Sequence, residues 1–403
     1  MRWIPATQGL PRAFWLLWWG QLINRAGGFI HPFLTIYLVG PRHVPLQRAG
    51  AIMGLVGLGA IGAGPVSGTL SDLLGRKKAL GIATGLGAGA MLALGLARTD
   101  TSIAIAASAV GFCGEMYRAP CQAMVADVVP AEDRARAFGI LYWGVNIGFA
   151  IASAVAGFIA TVSYTALFVG DAATTLLMGV IVLAGVHETR PANREKAPAF
   201  HFLKPYGDRT FLGFIVVSSL ITMVFSQVGS TLPMELQARG ISPRTYGLLL
   251  ALNGVLIGLL QPFAGTFTRR TPPARVLSVA ALVIAVGFVL NDLARGAVSI
   301  YALSICVWTM GEIAMAGLTP AIVSEVAPPH LRGSYQGALQ LAFAASLAVA
   351  PVAGSALLSH FGSSGLWRAC GLTGLVASGG FLIFVPARRS AAAVASALSV
   401  DAG

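Results

Sequence analysis

Glu115 and Arg118 stand three residues apart with Tyr117 between them, so a helix through the segment shows both charges on one face. The surrounding run is apolar, and an ionisable group at membrane depth is costly unless it faces a cavity or a partner. A shift of 197 positions lays Glu312 over Glu115, and each follows a glycine. Two such glutamates on equivalent helices of a pseudo-symmetric molecule would point into one central cavity from opposite sides. Arg25, in the middle of the first apolar run, adds a second cation on the side of Glu115. Desolvation favours the protonated carboxyl and a neighbouring guanidinium favours the ionised one, so moving an arginine switches proton uptake and release. That is the physical requirement for proton coupling. The plainer alternative is a static ion pair of Glu115 with Arg25 or Arg118 that locks helices together. Glu312 has no cation near it in sequence, and contact with a substrate is open to both glutamates.

Asn146, Gln227, Asn253, Gln261 and Gln340 are uncharged polar residues within apolar runs, each able to line a cavity or to hydrogen-bond a neighbouring helix. Tyr142, Trp143, Trp308 and Phe343 could form an apolar binding wall, although core packing accounts for most buried aromatics. As substrate contacts the sequence nominates Tyr142, Asn146, Gln227, Asn253, Trp308 and Gln340. Asp171 lies about two turns inside its run, where interfacial solvation is expected. His31, followed by Pro32, is expected to pack or hydrogen-bond at an outer gate and not to bind metal.

A second kind of chemistry lies between Gly68 and Leu80, in GTLSDLLGRKKAL. Asp72 ends one apolar run, and Gly75, Arg76 and Lys77 make a tight turn before the next. A carboxylate there can pair with a cation or with the positive N-terminus of a neighbouring helix, and can be released when helices move. A faded copy, GTFTRRTPPARVL from Gly265 to Leu277, keeps the glycine, the threonine and the final leucine, with Pro65 and Pro262 three residues upstream. Arg269 and Pro272 replace the acid and the inner glycine. Further on, Val125 to Val128 with Pro130, Arg134 and Gly139 matches Val323 to Val326 with Pro328, Arg332 and Gly337. The same punctuation in the same order reads as two repeated six-helix bundles.

The elements that must position these groups are apolar segments. The 403 residues are 56% hydrophobic and only 10% charged, against roughly 25% in a soluble domain. Twelve spans follow, at about 13–39, 48–70, 79–97, 102–128, 137–161, 164–186, 210–237, 245–267, 276–293, 298–326, 334–358 and 366–385. The expected fold is an all-α membrane protein of twelve transmembrane helices in two pseudo-symmetric bundles. Residues 1–186 form the first bundle, 187–209 a cytoplasmic linker, 210–386 the second bundle and 387–403 a cytoplasmic tail. With both termini in the cytoplasm, eighteen of the 27 Lys and Arg fall inside and seven outside, which obeys the positive-inside rule. The net charge of +12 is therefore topology, and no nucleic-acid partner is expected. The lipid bilayer is. Cys113, Cys121, Cys306 and Cys370 lie in apolar runs without a C-x-x-C pair, so neither a disulfide framework nor a zinc site is implied. The sequence shows no Ser/His/Asp grouping, no metal-spaced His or Cys set and no G-x-x-x-x-G-K-S/T loop. These absences argue against an enzyme, a metal or other cofactor, and ATP as the driver.

The pattern G-x-L-x-D-x-x-G-R-K in the loop resembles the signature of the major facilitator superfamily, and Asp127 matches that family's usual partner for the loop arginine. By this resemblance Gly68, Asp72, Gly75, Arg76, Lys77 and Asp127 form a cytoplasmic gate. Its charge latch of Asp72, Arg76 and Asp127 holds the outward-open state closed on that side. Arg118 resembles a second motif found in proton-linked members. The Gly-Pro antiporter signature of the fifth span is absent from WGVNIGFAIASAVAG, whereas the eleventh span has Ala350-Pro351 followed by Gly354. The resemblance is nearest to bacterial multidrug exporters. It implies a monomeric plasma-membrane (cell inner membrane) transporter that expels a small, largely apolar or cationic substrate in exchange for protons. The alternative is a symporter or facilitator that imports a small polar or anionic solute, which the two cavity arginines favour. A membrane-embedded enzyme or sensor is the remaining reading.

Overall fold

A computed structural model describes residues 9–190, 201–268, 271–316, 318–328 and 331–385. Among them the chain is helical and has no strand. Nine segments among the described residues are long and apolar enough to cross a bilayer, fewer than the twelve expected, because the first and fourth spans are divided into short pieces and the eleventh and twelfth run together.

Four spans that the sequence suggests are continuous are each divided. The first is α1 (Arg12–Ala26) and α2 (Ile30–Val39); α3 (Leu46–Leu74) and α4 (Arg76–Leu96) follow whole. The fourth is α5 (Asp100–Glu115) and α6 (Arg118–Val128), followed by α7 (Arg134–Ala160) and α8 (Tyr164–Gly185). The seventh is α9 (Arg209–Ser226) and α10 (Thr231–Ala238), before α11 (Pro243–Thr268) and α12 (Pro273–Ala294). The tenth is α13 (Val298–Ala316) and α14 (Leu318–Val326). In every case a proline, Pro32, Pro120, Pro233 or Pro320, is the third residue of the second piece. Proline lacks the N–H that would bond four residues back and its ring crowds that carbonyl, so the helix parts there. In the first turn of a new helix the missing donor costs nothing. Conversely, the eleventh and twelfth spans run together as α15 (Arg332–Phe384), bent at Gly362, whose φ of 68° is left-handed. Taking each divided pair as one helical unit and the limbs of α15 as two, the described helices make twelve units, within which nine segments are long and apolar enough to span.

Small residues let the two repeats meet. A Cβ at Gly57 of α3 would stand 2.5 Å from the Ala348 backbone of α15, and one at Gly254 of α11 would stand 3.0 Å from Ala150 Cα of α7. Thr35 Oγ1 of α2 donates to the Gly229 carbonyl at 2.9 Å, inside the α9/α10 break, and the Phe33 and Tyr246 rings lie 5.4 Å apart. This closes one end of the molecule, which we call the Thr35 end. Toward the other end, which carries the Arg76 loop, contact lapses: added Cβ atoms at Gly64, Gly68, Gly139 and Gly337 would meet nothing within 4 Å. Among the described residues the repeats are therefore joined at the Thr35 end and parted at the loop end.

Candidate functional site

At the loop end Arg76 is the first residue of α4 and is 4% exposed. Its guanidinium bonds Asp72 at 2.8 Å, the Ser71 carbonyl at 3.0 Å and Asp127 at 3.4 Å. The structure thus brings Asp72, Arg76 and Asp127 together, and does so while the loop end is parted. A fourth member has no counterpart in the sequence reading. Glu188, just beyond α8, accepts the backbone N–H groups of Arg76 at 2.8 Å and Lys77 at 3.2 Å. The N-cap of α4, Gly75, offers no side chain, and a distant carboxylate caps the helix in its place. Gly75 has φ 93°, and a Cβ there would fall 2.3 Å from a Glu188 oxygen, so both the turn and the approach of Glu188 require glycine. Desolvation acts to raise the Glu188 pKa, but the N–H donors of Arg190, Arg76, Lys77 and Thr189 together hold it below the usual glutamate value. Thr189 Oγ1 also donates to Asp127 at 3.2 Å, tying the end of α8 to the latch. Lys77 is half-buried, and Gly68 borders open space.

Deeper in the molecule the helix breaks place the ionisable groups. Glu115 is the last residue of α5 and Arg118 the first of α6. The two side chains pair, Arg118 Nη2 to Glu115 Oε1 at 3.2 Å, and are 51% and 34% exposed. Arg25 does not join them. Its guanidinium lies 5.6 Å from the Tyr117 ring centre, and its buried Nε has no hydrogen-bond partner among the described residues. In the second repeat Glu312 accepts from Asn253 Nδ2 at 2.8 Å, and the same amide reaches Thr309 Oγ1 at 3.0 Å. Tyr142 of α7, whose carbonyl holds the Asn146 amide at 2.9 Å, is 40% exposed and within electrostatic reach of Glu312. Glu312 and Tyr142, from opposite repeats, are thus near enough to interact electrostatically, and beside them Trp143 Nε1 donates to the Gly258 carbonyl at 3.1 Å.

Other nominated residues stand elsewhere. Trp308 is buried among Phe225 and Phe288, and Gln227 is buried in the α9/α10 break, bonded to the Ala350 carbonyl and Thr231. Gln340 is exposed on α15. Asp171 is not at a solvated interface: it is 3% exposed and accepts the Ile30 N–H at 3.0 Å. The side chain of His31, and Arg269, lie outside the described residues. The sequence reading passed over Glu235 of α10, which is 2% exposed and takes bonds from Tyr301, Trp367 and Arg239. Its signal was an acid two residues past an intraspan proline, Pro233. No group of three or more His, Cys, Asp or Glu able to hold a metal occurs among the described residues.

These features have relatives. The chain is 24% identical over 359 residues to YttB, an uncharacterised MFS-type transporter of Bacillus subtilis (strain 168), covering 88% of this chain and 90% of that one. It is 27% identical to the class C tetracycline resistance protein of Escherichia coli, over 85% and 87% of the two chains. It is 25% identical to a Na(+), Li(+), K(+)/H(+) antiporter of Planococcus maritimus, over 82% and 85%. A POT family transporter solved with 5-aminolevulinic acid shares the fold, with a TM-score of 0.81 at 15% identity over 94% and 97% of the chains. The Major Facilitator Superfamily model matches residues 17–351 and 214–399. Divided and whole helices in repeated order, a loop latch and family-wide similarity lead to one conclusion: this multi-pass membrane protein is not an enzyme but a transporter, and it belongs to the Major Facilitator Superfamily.

Proposed function

We propose that the protein exports a small, largely apolar or cationic compound in exchange for protons, by rocking residues 1–186 against residues 210–386. Residues 187–209 link the halves and residues 387–403 form a tail, both on the cytoplasmic side of a plasma membrane, and the transporter works as a monomer. One observation carries the proton step. Glu115 is a partly exposed carboxylate at a helix break, paired with an arginine that is itself half exposed. The exporter direction is supported by similarity to a tetracycline resistance protein and a cation/proton antiporter. In this reading Arg25, Glu115, Arg118 and Glu312 line the cavity, with Tyr142, Asn146 and Asn253 beside the substrate. The gate is the set Gly68, Asp72, Gly75, Arg76, Lys77 and Asp127.

The test is proton flux in liposomes holding the purified protein and an internal pH probe. Lipophilic cations added outside acid-loaded vesicles should release protons, and Glu115→Gln should abolish the response while substrate binding survives. Flux that persists in Glu115→Gln moves the proton site to Glu312. A second reading, symport of an anionic solute, is favoured by the lack of any ion pair to Arg25 among the described residues. Proton entry accompanying organic anions would establish it in place of exchange.

A further inference from the structure

The first span is cut at Gly27 to Phe29, and the free outer piece, α2, is what meets the second repeat at the Thr35 end. Its position against the first repeat is fixed from α8. Asp171 takes the N–H of Ile30, the first residue of α2, at 3.0 Å, and the N–H of Phe29 adds to the field on the same carboxylate. Around it the packing is close. A Cβ at Gly27 would stand 1.9 Å from Thr174 Oγ1, and Asn24 Nδ2 bonds Thr175 Oγ1 at 2.8 Å. Arg25 of α1 is the charged group within reach of Asp171, and α2, α4 and α7 bring no other among the described side chains. Tyr37 of α2 is engaged by Arg42, and His31 is the remaining titratable residue of α2 by sequence. A full negative charge on the N-terminal amides of a helix holds that helix more firmly than a neutral carboxyl does.

We propose that Asp171 is the clamp of the Thr35 gate: ionised, it seats α2 where it meets Gly229 and closes that end, and on taking up a proton it lets α2 go. Asp171 is thus a positioning residue through which protons act on a gate instead of on substrate. An empty, unprotonated carrier stays shut at the Thr35 end, which prevents idle turnover. The second repeat has a related anchor of reversed polarity. There the carboxylate, Glu235, sits on the free piece α10, and the scaffold supplies Tyr301 and Trp367 as donors. The role of the clamp in the transport cycle rests on the proton exchange proposed above.

The test reads the gate without substrate. Spin labels are placed at Pro41→Cys, beyond the end of α2, and at Ala238→Cys, the last residue of α10, in full-length protein whose four native cysteines are alanine, reconstituted in nanodiscs. The wild-type background should show a short distance at pH 8.5 and a growing longer one at pH 5. Asp171→Asn should show the longer distance at both pH values, with its share at pH 8.5 raised at least fivefold. Glu115→Gln, Glu312→Gln and His31→Asn should each keep the pH response. Arg25→Gln, which leaves the clamp but removes its neighbouring cation, should move the midpoint of opening to higher pH. That variant carries the test if Asp171→Asn does not fold. A short distance in Asp171→Asn at pH 8.5, a pH response surviving in it, or an unmoved midpoint in Arg25→Gln overturns the clamp. Liposome flux on the same proteins separates the two ideas: absent proton exchange with an intact gate response defeats the antiport reading and leaves the clamp standing.

Discussion

Glu188 shows how a single residue can govern the loop end without belonging to its signature. It is 112 positions from Arg76, yet two of its accepted bonds close the first turn of α4, and a third contact chain runs through Thr189 to Asp127. Because its pKa is lowered on folding, its cap is complete above the ordinary glutamate value of roughly 4.3 and is lost as pH falls through the lowered one. Hydrogen exchange should therefore show the Arg76 to Ala79 amides protected from neutral pH down through the ordinary glutamate range and exposed only at still lower pH. Glu188→Gln should speed their exchange at pH 7 while leaving the helices beyond Leu80 unchanged. Protection that is equal in both proteins would mean that the Asp72 and Asp127 pairs hold the loop alone. The latch acid, arginine and glycine were readable because their spacing is local. Glu188 was not, because only the return of α8 to the start of α4 brings its carboxylate to those amides.

At the scale of elements, the apolar runs and their repeat were legible, and the breaks were written in the same letters but need a rule to be seen. Four prolines fall at the third position of a new half-helix, while Pro65 and Pro351 sit inside unbroken helices. Hydropathy alone cannot separate the two classes. Two of the divided spans, the seventh and the tenth, are as apolar as whole ones, and only the loss of the bond to residue i−4 marks the difference. The breaks matter because they hold the candidate site: Glu115 and Arg118 flank one, Asp171 and Gln227 bond into two others. Pro120→Ala restores a donor that can reach the Met116 carbonyl and so joins α5 to α6. Thermal stability should hold or rise, amide exchange from Arg118 to Cys121 should slow, and proton flux should fall several-fold as Arg118 loses its freedom to leave Glu115. Slowed exchange with wild-type flux would show that the break serves packing alone.

The whole molecule is held in its present state by glycines at the Thr35 end. At Gly57, Gly247 and Gly254 an added Cβ would come within 3.0 Å of the opposite repeat, much of it backbone that cannot turn aside. At the loop end the corresponding glycines border open space, so the same substitution there meets no partner. This asymmetry is what alternating access requires of one end state: dense contact at one gate, none at the other. Overpacking a close contact costs about 1–3 kcal/mol, and since the helices are stiff the parting of the repeats can relieve it. Gly57→Ala, with Ala348 Cα and N 2.5 Å from its new Cβ, should therefore disfavour closure by roughly five- to a hundredfold. A cysteine replacing Thr35, a residue that is 0% exposed, reports the result. A bulky maleimide should label Thr35→Cys slowly in the otherwise native protein in nanodiscs and at least fivefold faster in the Gly57→Ala background. Gly68→Ala, at the open end, should leave the rate unchanged. If Gly57→Ala lowers thermal stability without exposing the Thr35 position, the repeats do not part as rigid bodies and the strain is absorbed inside one bundle.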